Sequence, residues 1–306
     1  MLELSNVSSG YAINGTYKKV LNEINIKTET GKITGILGSS GSGKTTLLKT
    51  LLNKAYIESG IIKYNGNNIF LSLKSFQDFR NKIAYIPQNS LNSLNIFENI
   101  GLQLNKLMKS LKITPDMDYI NNMINKFMLP ENIMKLKPGQ MSDGMKHRVI
   151  ILMALATGKE IFLFDEPTTG LDPISAHDVL LSIVKLKDKH NIIITGNDVE
   201  SIFSICDYIH IMYNGTFVED ANYSDILKSQ LHPYTYMLLK YIPSYEKRNE
   251  DIKYFFNDVK NGNAQCVFIN MCPHAEPLCE NRIEYNYING HGYRCIRYPE
   301  WKHDKA

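Results

Sequence analysis

The chain has 306 residues, 43% hydrophobic and 21% charged, with a net charge of +3 at neutral pH. That length carries one large domain or two modest ones around a real core. The small charge comes without a clustered basic patch and argues against a nucleic-acid partner. No apolar run approaches the roughly 18 residues that a membrane-spanning helix needs.

Residues 1–35 read as short strands broken by turns at Ser9-Gly10, Asn14-Gly15 and Gly31-Lys32. Met1-Leu2-Glu3-Leu4 lacks the basic and apolar regions of a signal peptide, so a cytosolic protein is expected, with any membrane role coming through a partner. Ile33-Thr34-Gly35-Ile36-Leu37 is β-prone, and Thr46-Leu47-Leu48 opens a helix with an apolar face. Between them, Gly38-Ser39-Ser40-Gly41-Ser42-Gly43-Lys44-Thr45 is a complete G-x-x-x-x-G-K-[ST] phosphate loop in the strand–loop–helix context the motif requires. Its glycines let successive N–H groups turn inward around a triphosphate, and the helix N-terminus adds its positive end. Lys44 is expected to reach the β- and γ-phosphates and the Thr45 hydroxyl to ligate Mg²⁺.

Residues 60–70 read as a hairpin turning at Asn65-Gly66, and about 92–151 as a helical stretch. Ile161-Phe162-Leu163-Phe164 is a fully apolar strand, as in a parallel sheet covered on both faces. A helix is expected over 174–189, then a second buried strand, Asn191-Ile192-Ile193-Ile194-Thr195. This alternation predicts an α/β sheet interrupted by a helical insertion. Asp165 and Glu166 end the first buried strand, where α/β proteins place their chemistry. Two adjacent carboxylates there suggest a division of labour, with Asp165 holding Mg²⁺ through water and Glu166 polarising the attacking water.

Past residue 230 the composition shifts to Tyr, Asn, Pro and Cys. Cys206 stands alone, whereas Cys266, Cys272, Cys279 and Cys295 crowd into the last 41 residues. In a reducing compartment such a cluster reads first as a metal site. Four thiolates at these spacings suit a 4Fe–4S cluster or tetrahedral zinc.

These motifs together resemble the nucleotide-binding subunit of an ABC transporter. The resemblance implies a P-loop NTPase with a RecA-like α/β core, an antiparallel β subdomain and a helical insertion. Tyr11 falls where that family places an aromatic that stacks on adenine, and Thr46 closes its phosphate loop. Gln88, in Tyr85-Ile86-Pro87-Gln88, matches the glutamine that touches Mg²⁺ and water and senses the membrane subunit. Met141-Ser142-Asp143-Gly144-Met145 lies where the signature Leu-Ser-Gly-Gly-Gln belongs, so Ser142 and Gly144 are expected to serve ATP held by the other subunit of a head-to-tail dimer. Asp165 to Asp172 matches the second acidic motif and the dimer-contact loop after it. The narrower resemblance is to oligopeptide, dipeptide and nickel importers. It rests on Ser93-Leu94-Asn95, on His232-Pro233-Tyr234-Thr235 with Pro243, and on the cysteine cluster, for which the relatives favour iron–sulfur over zinc.

The reading assigns residues 1–230 to the nucleotide-binding domain and 231–306 to a small Cys-rich C-terminal extension. Its implied partners are a second ATPase subunit, two transmembrane permeases and, indirectly, an extracytoplasmic substrate-binding protein, at the cytoplasmic face of the membrane. Two departures qualify it. Asp143 replaces the first signature glycine, and Asn197 stands where the family carries its switch histidine. Asn donates a hydrogen bond to a γ-phosphate but carries no charge and lends no proton. A subunit that binds ATP while its partner does most of the hydrolysis is therefore the alternative to a fully active one. A soluble ABC ATPase of DNA repair or translation is disfavoured, because the large insertion or second nucleotide domain is missing.

Overall fold

The sheet and helices grow from the apolar runs and capping residues of the sequence. A computed structural model describes residues 1–240 and 266–301. Its elements begin with β1 (Leu2–Ile13), β2 (Thr16–Thr28), β3 (Ile33–Leu37), α1 (Lys44–Leu51), β4 (Tyr56–Tyr64), β5 (Asn67–Asn68), α2 (Leu73–Arg80) and β6 (Ile83–Ile86). Next come α3 (Ile100–Ser110), α4 (Met117–Lys126), α5 (Asp143–Ala156), β7 (Ile161–Asp165), α6 (Pro173–Val184) and β8 (Asn191–Gly196). The chain continues through α7 (Val199–Ile205), β9 (Tyr208–Tyr213), β10 (Thr216–Asn222), α8 (Tyr223–Lys228) and α9 (Pro233–Lys240), then β11 (Asn286–Ile288) and β12 (His291–Tyr293).

These elements divide into two compact units. One holds Met1–Leu2, Thr28–Ile33 and Lys63–Thr195, the other Glu3–Lys27, Thr34–Ile62 and the described residues from Gly196 onward. In the first unit β6, β7 and β8 run parallel, Ile83 opposite Ile161 and Ile161 opposite Asn191. Every residue of β7 and β8 is buried, which explains their unbroken apolar runs. The register brings Asp165 opposite Thr195 at the carboxyl end. Ser72, Asn99, Asp116 and Asp172 cap α2, α3, α4 and α6, each side chain accepting a first-turn N–H.

In the second unit β3 pairs parallel with β9, and β9 pairs antiparallel with β10. The two tail strands extend this array, β12 on β10 and β11 on β12. A buried carboxylate fastens the tail. Glu219 accepts the N–H groups of Leu231 and His232, both at 2.8 Å, and pairs with His291 Nε2 at 2.7 Å. Trp301 adds an indole N–H bond to the Leu231 carbonyl at 3.2 Å. Burial pushes His232 down to about 3, so the ring stays neutral and its Nδ1 accepts the Tyr234 N–H at 3.1 Å.

Asn14-Gly15 and Asn65-Gly66 turn as expected, all four residues at positive φ. Ser9-Gly10 does not, because β1 runs straight through it. A Cβ on Gly10 would stand 2.0 Å from the Lys18 carbonyl oxygen, so this glycine admits a close strand approach rather than a turn. The helix expected over 174–189 ends at Val184, followed by a 3₁₀ turn at Lys187–Lys189. The helical stretch resolves into α3, α4 and α5, with α2 and β6 preceding it unexpected. Pro243 lies outside the described residues. Among the described residues, no helix is long and apolar enough to cross a membrane.

Candidate functional site

The phosphate loop leaves β3 at Gly38, where a Cβ would meet the Met212 carbonyl oxygen at 2.3 Å. Gly41 and Gly43 take φ of 79° and 112°, a region that side chains resist. α1 opens at Lys44 directly behind Gly43, which sets the positive end of the helix at the loop. Lys44 is 3% exposed, and its ammonium donates to the carbonyls of Gly38 at 2.9 Å and Ser39 at 3.0 Å. β1 braces the helix from the side. Ser9 and Thr50 share a hydroxyl hydrogen bond of 2.7 Å, and the Tyr11 hydroxyl donates to Thr46 Oγ1 at 3.5 Å. A glycine arch, a helix N-terminus and one buried ammonium are the features that suit an anion.

The acidic strand end gives its two carboxylates different surroundings. Asp165 is 2% exposed, with Oδ1 accepting from Thr195 Oγ1 at 2.8 Å and Oδ2 from the Tyr85 hydroxyl at 3.0 Å. Glu166 is half-buried at a positive φ of 47°, its N–H donating to the Thr195 carbonyl at 3.1 Å. That backbone is sparsely populated for a non-glycine residue, and such outliers concentrate where chemistry is done. Glu166 Oε2 accepts from Gln88 Nε2 at 3.1 Å and from Thr169 Oγ1 at 3.3 Å. A buried, doubly hydrogen-bonded carboxylate is suited to a hydrated cation, and a half-open one to orienting water. Gln88, Asp165 and Glu166, chosen from sequence, thus meet at one strand end. Tyr85 and Thr195 support them and were missed; the only signal was their position in the same two β segments. Asn197 lies exposed just past β8.

Ser142 caps α5, its hydroxyl accepting the Met145 N–H at 3.2 Å. Asp143 turns to Lys146 in a 2.7 Å ion pair, which offsets the negative charge the sequence places in the signature. Gly144 is buried against α6, where a Cβ would stand 3.1 Å from Ser175 Cβ. Arg148 is 8% exposed and ties the helix start to the Phe127 carbonyl at 3.1 Å and to its own Gly144 carbonyl at 3.3 Å. In the loop after β7, Asp172 accepts N–H groups of Ile174 and Ser175, and its hydrogen bonding to Ser175 lowers its pKa.

In the tail, Cys272 and Cys279 are buried and Cys266 and Cys295 partly so. Burial raises the thiols of Cys272 and Cys295 to about 12 each, and electrostatic coupling among the four cysteines adds to it. The Cys266 N–H donates to the Cys279 carbonyl at 3.3 Å. Among the described residues, no three His, Cys, Asp or Glu side chains form a group that could hold a metal ion. Among the described residues, the expected metal site, iron–sulfur or zinc, therefore has no geometric counterpart. Cys206 is separate and inert: a Cβ on Gly35 would meet its Sγ at 2.7 Å, and burial raises its thiol well above the usual value.

A family profile described as ABC transporter matches residues 21–169, and one described as oligopeptide/dipeptide transporter, C-terminal region, matches residues 218–279. The oligopeptide transport ATP-binding protein OppD of Lactococcus lactis is 29% identical over 82% of this chain and 78% of its own. OppD of Salmonella typhimurium is 28% identical over 92% and 88% respectively. The methionine import ATP-binding protein MetN 1 of Listeria monocytogenes is 32% identical over 77% and 70%. The fold matches that of cbiO1 from Clostridium perfringens with a TM-score of 0.65, at 24% identity over 75% of this chain and 91% of that one. It also matches a dimeric bacterial ABC transporter cassette at 0.61, with 23% identity over 73% and 99%. The chain belongs to the ABC transporter ATP-binding proteins, ATPases that power transport, and carries the oligopeptide/dipeptide transporter C-terminal region.

Proposed function

We propose that this importer subunit binds and hydrolyses ATP to drive uptake of peptides, with a nickel or other metal complex as the second substrate class. The hydrogen bond of Gln88 to Glu166 carries the reading most directly, because it ties a loop residue to the carboxylate suited to activating water. In this proposal Lys44 and the backbone of residues 38–46 hold the phosphates, and Tyr11 stacks on adenine. Thr45, Gln88 and Asp165 are the residues that would hold Mg²⁺, and Glu166 is the general base. Ser142 and Gly144 serve a partner's ATP. We place the nucleotide-binding domain at 1–230, with 92–151 as its helical subdomain, and the extension at 231–306.

Two transmembrane permeases and, through them, an extracytoplasmic receptor complete the assembly at the cytoplasmic face of the membrane. Support comes from the apolar surface just after Gln88, where Ile96 and Phe97 are 63% and 78% exposed. Two adjacent exposed apolar side chains of that size are compatible with a docking surface there. The test is capture of the intact complex and identification of its receptor with bound ligand. A peptide in the receptor supports the first substrate class, a metal complex moves the assignment to the second, and co-purification without any permease overturns the importer reading.

Cys266, Cys272, Cys279 and Cys295 are the donors we assign to a 4Fe–4S cluster that staples the tail. What speaks for it is that the four thiols are near enough to couple electrostatically, burial and that coupling raising those of Cys272 and Cys295. Anaerobically purified protein is expected to contain iron and sulfide and to absorb broadly in the visible range. Cys272→Ser and Cys279→Ser should each abolish that absorption. Zinc without iron in the same preparation would replace the cluster by a zinc site, and neither metal would remove the assignment.

A further inference from the structure

One hydrogen bond ties the phosphate loop to the C-terminal region. The Ser39 N–H donates to the Tyr234 hydroxyl at 3.1 Å. The carbonyl of the same Ser39 accepts from Lys44 Nζ at 3.0 Å, so the residue is held from both sides. Tyr234 is 6% exposed, and its ring packs on Tyr213 and Phe268 with centroids 4.7 and 5.3 Å away. Those two rings touch edge-on at 5.2 Å. Phe268 lies in the turn that Cys266 opens, where the Ile269 N–H donates to the Cys266 carbonyl at 3.2 Å. From the other ring, the Tyr213 hydroxyl donates to Met271 Sδ at 3.4 Å, one residue before Cys272. Three aromatic rings therefore run from the cysteine segment to a backbone amide of the phosphate loop.

We propose that Tyr234 is a positioning residue for ATP, through which the C-terminal cysteine segment sets the affinity of the phosphate loop. The proposal rests on residues 38–45 holding the nucleotide. When Lys44 turns toward the phosphates, the carbonyls of Gly38 and Ser39 lose its ammonium. The Tyr234 hydroxyl, set by a rigid and buried ring, then joins the backbone bonds from the Gly38 N–H to Gly196 and from the Ser42 N–H to Ser39, at 3.3 and 3.2 Å, as the side-chain contact that keeps the start of the arch in its binding shape. The contact is to backbone remote from the transferred phosphoryl, so it acts alike on bound substrate and transition state. It therefore governs KM rather than kcat.

The experiment measures ATPase kinetics at this chain's own site, in the intact transporter with any second ATP site inactivated, with Tyr234→Phe, which removes one oxygen and leaves the ring stack. Ser39 is exposed, so water can replace part of the lost bond, and KM for ATP is expected to rise about five- to tenfold with kcat within about twofold. Phe268→Leu keeps the hydroxyl but loosens its support, and should raise KM in the same direction by a smaller factor. Tyr236→Phe, on the same helix against Trp301, should leave both constants unchanged. An unchanged KM in Tyr234→Phe overturns the proposal, as does a fall in kcat at constant KM. If Tyr234→Phe does not assemble, an unchanged KM in Phe268→Leu overturns it instead. Lys44→Ala tests the underlying reading separately: retained ATP binding there would remove the phosphate loop itself from the site, whatever Tyr234→Phe does.

Discussion

Replacing Glu166 by Gln should lower ATP cleavage at this chain's own site, measured by single-turnover trapping with any second ATP site inactivated, by about 10²- to 10⁴-fold, the range a positioned general base supplies. Nucleotide affinity should stay within about twofold, because a base acts on the transition state rather than on ground-state binding. The substitution is conservative at this position. An amide oxygen can still accept from Gln88 or Thr169, and the backbone bond from residue 166 to the Thr195 carbonyl does not involve the side chain. The positive φ of 47° is no harder for Gln than for Glu, so loss of fold is not a competing explanation. ATP that binds but is not cleaved should hold the two ATPase subunits closed, visible as an ATP-dependent dimer by size-exclusion chromatography. Single-turnover cleavage at that site within threefold of the unmodified chain would remove Glu166 from the role of base.

The parts of this site that were legible in the sequence are those whose chemistry is local. The phosphate loop needs its glycines within eight consecutive residues, and β7 announces itself as an unbroken apolar run ending in Asp165 and Glu166. What could not be read depends on partners far along the chain. Nothing near Ser39 points to Tyr234, which lies 195 residues later and meets it only after the tail has folded back. Gly10 is a different case: a glycine signals a turn locally, whereas here the Lys18 carbonyl, across the adjacent strand β2, demands it. The tail hairpin is legible in part. Asn289-Gly290, at φ 52° and 81°, is a strong two-residue turn signal, but the strands beside it are only three residues each, and β12 obtains its second partner from β10. The acidic residue in the signature is a third kind of case. Its sign was plain, but its effect depends on Lys146, one turn away, whose ammonium takes up the Asp143 carboxylate.

The other large effect follows from Asn197, which we read as placing this subunit in a heterodimer with unequal ATP sites. Asn197 stands exposed after β8, in the position where the family resemblance implies a histidine. A neutral amide can donate one hydrogen bond to a γ-phosphate but cannot add the charge or the proton that imidazole supplies. One such contact to developing transition-state charge is commonly worth about 10²- to 10³-fold in rate. Two copies of this chain would carry the handicap twice, so the expectation on this reading is that a partner with the histidine intact does most of the hydrolysis. Glu166→Gln in this chain should then reduce transport-coupled turnover far less than the equivalent change in the partner, while Asn197→His raises turnover. The expected losses separate this reading from that of a fully competent subunit, since the first prediction compares Glu166→Gln with ATP cleavage at this chain's own site, measured by single-turnover trapping with the partner inactivated. Equal losses from the two glutamate substitutions would rule out the asymmetry. So would full activity of this chain with its permeases and no second ATPase, because a homodimer would then tolerate Asn197 at both sites.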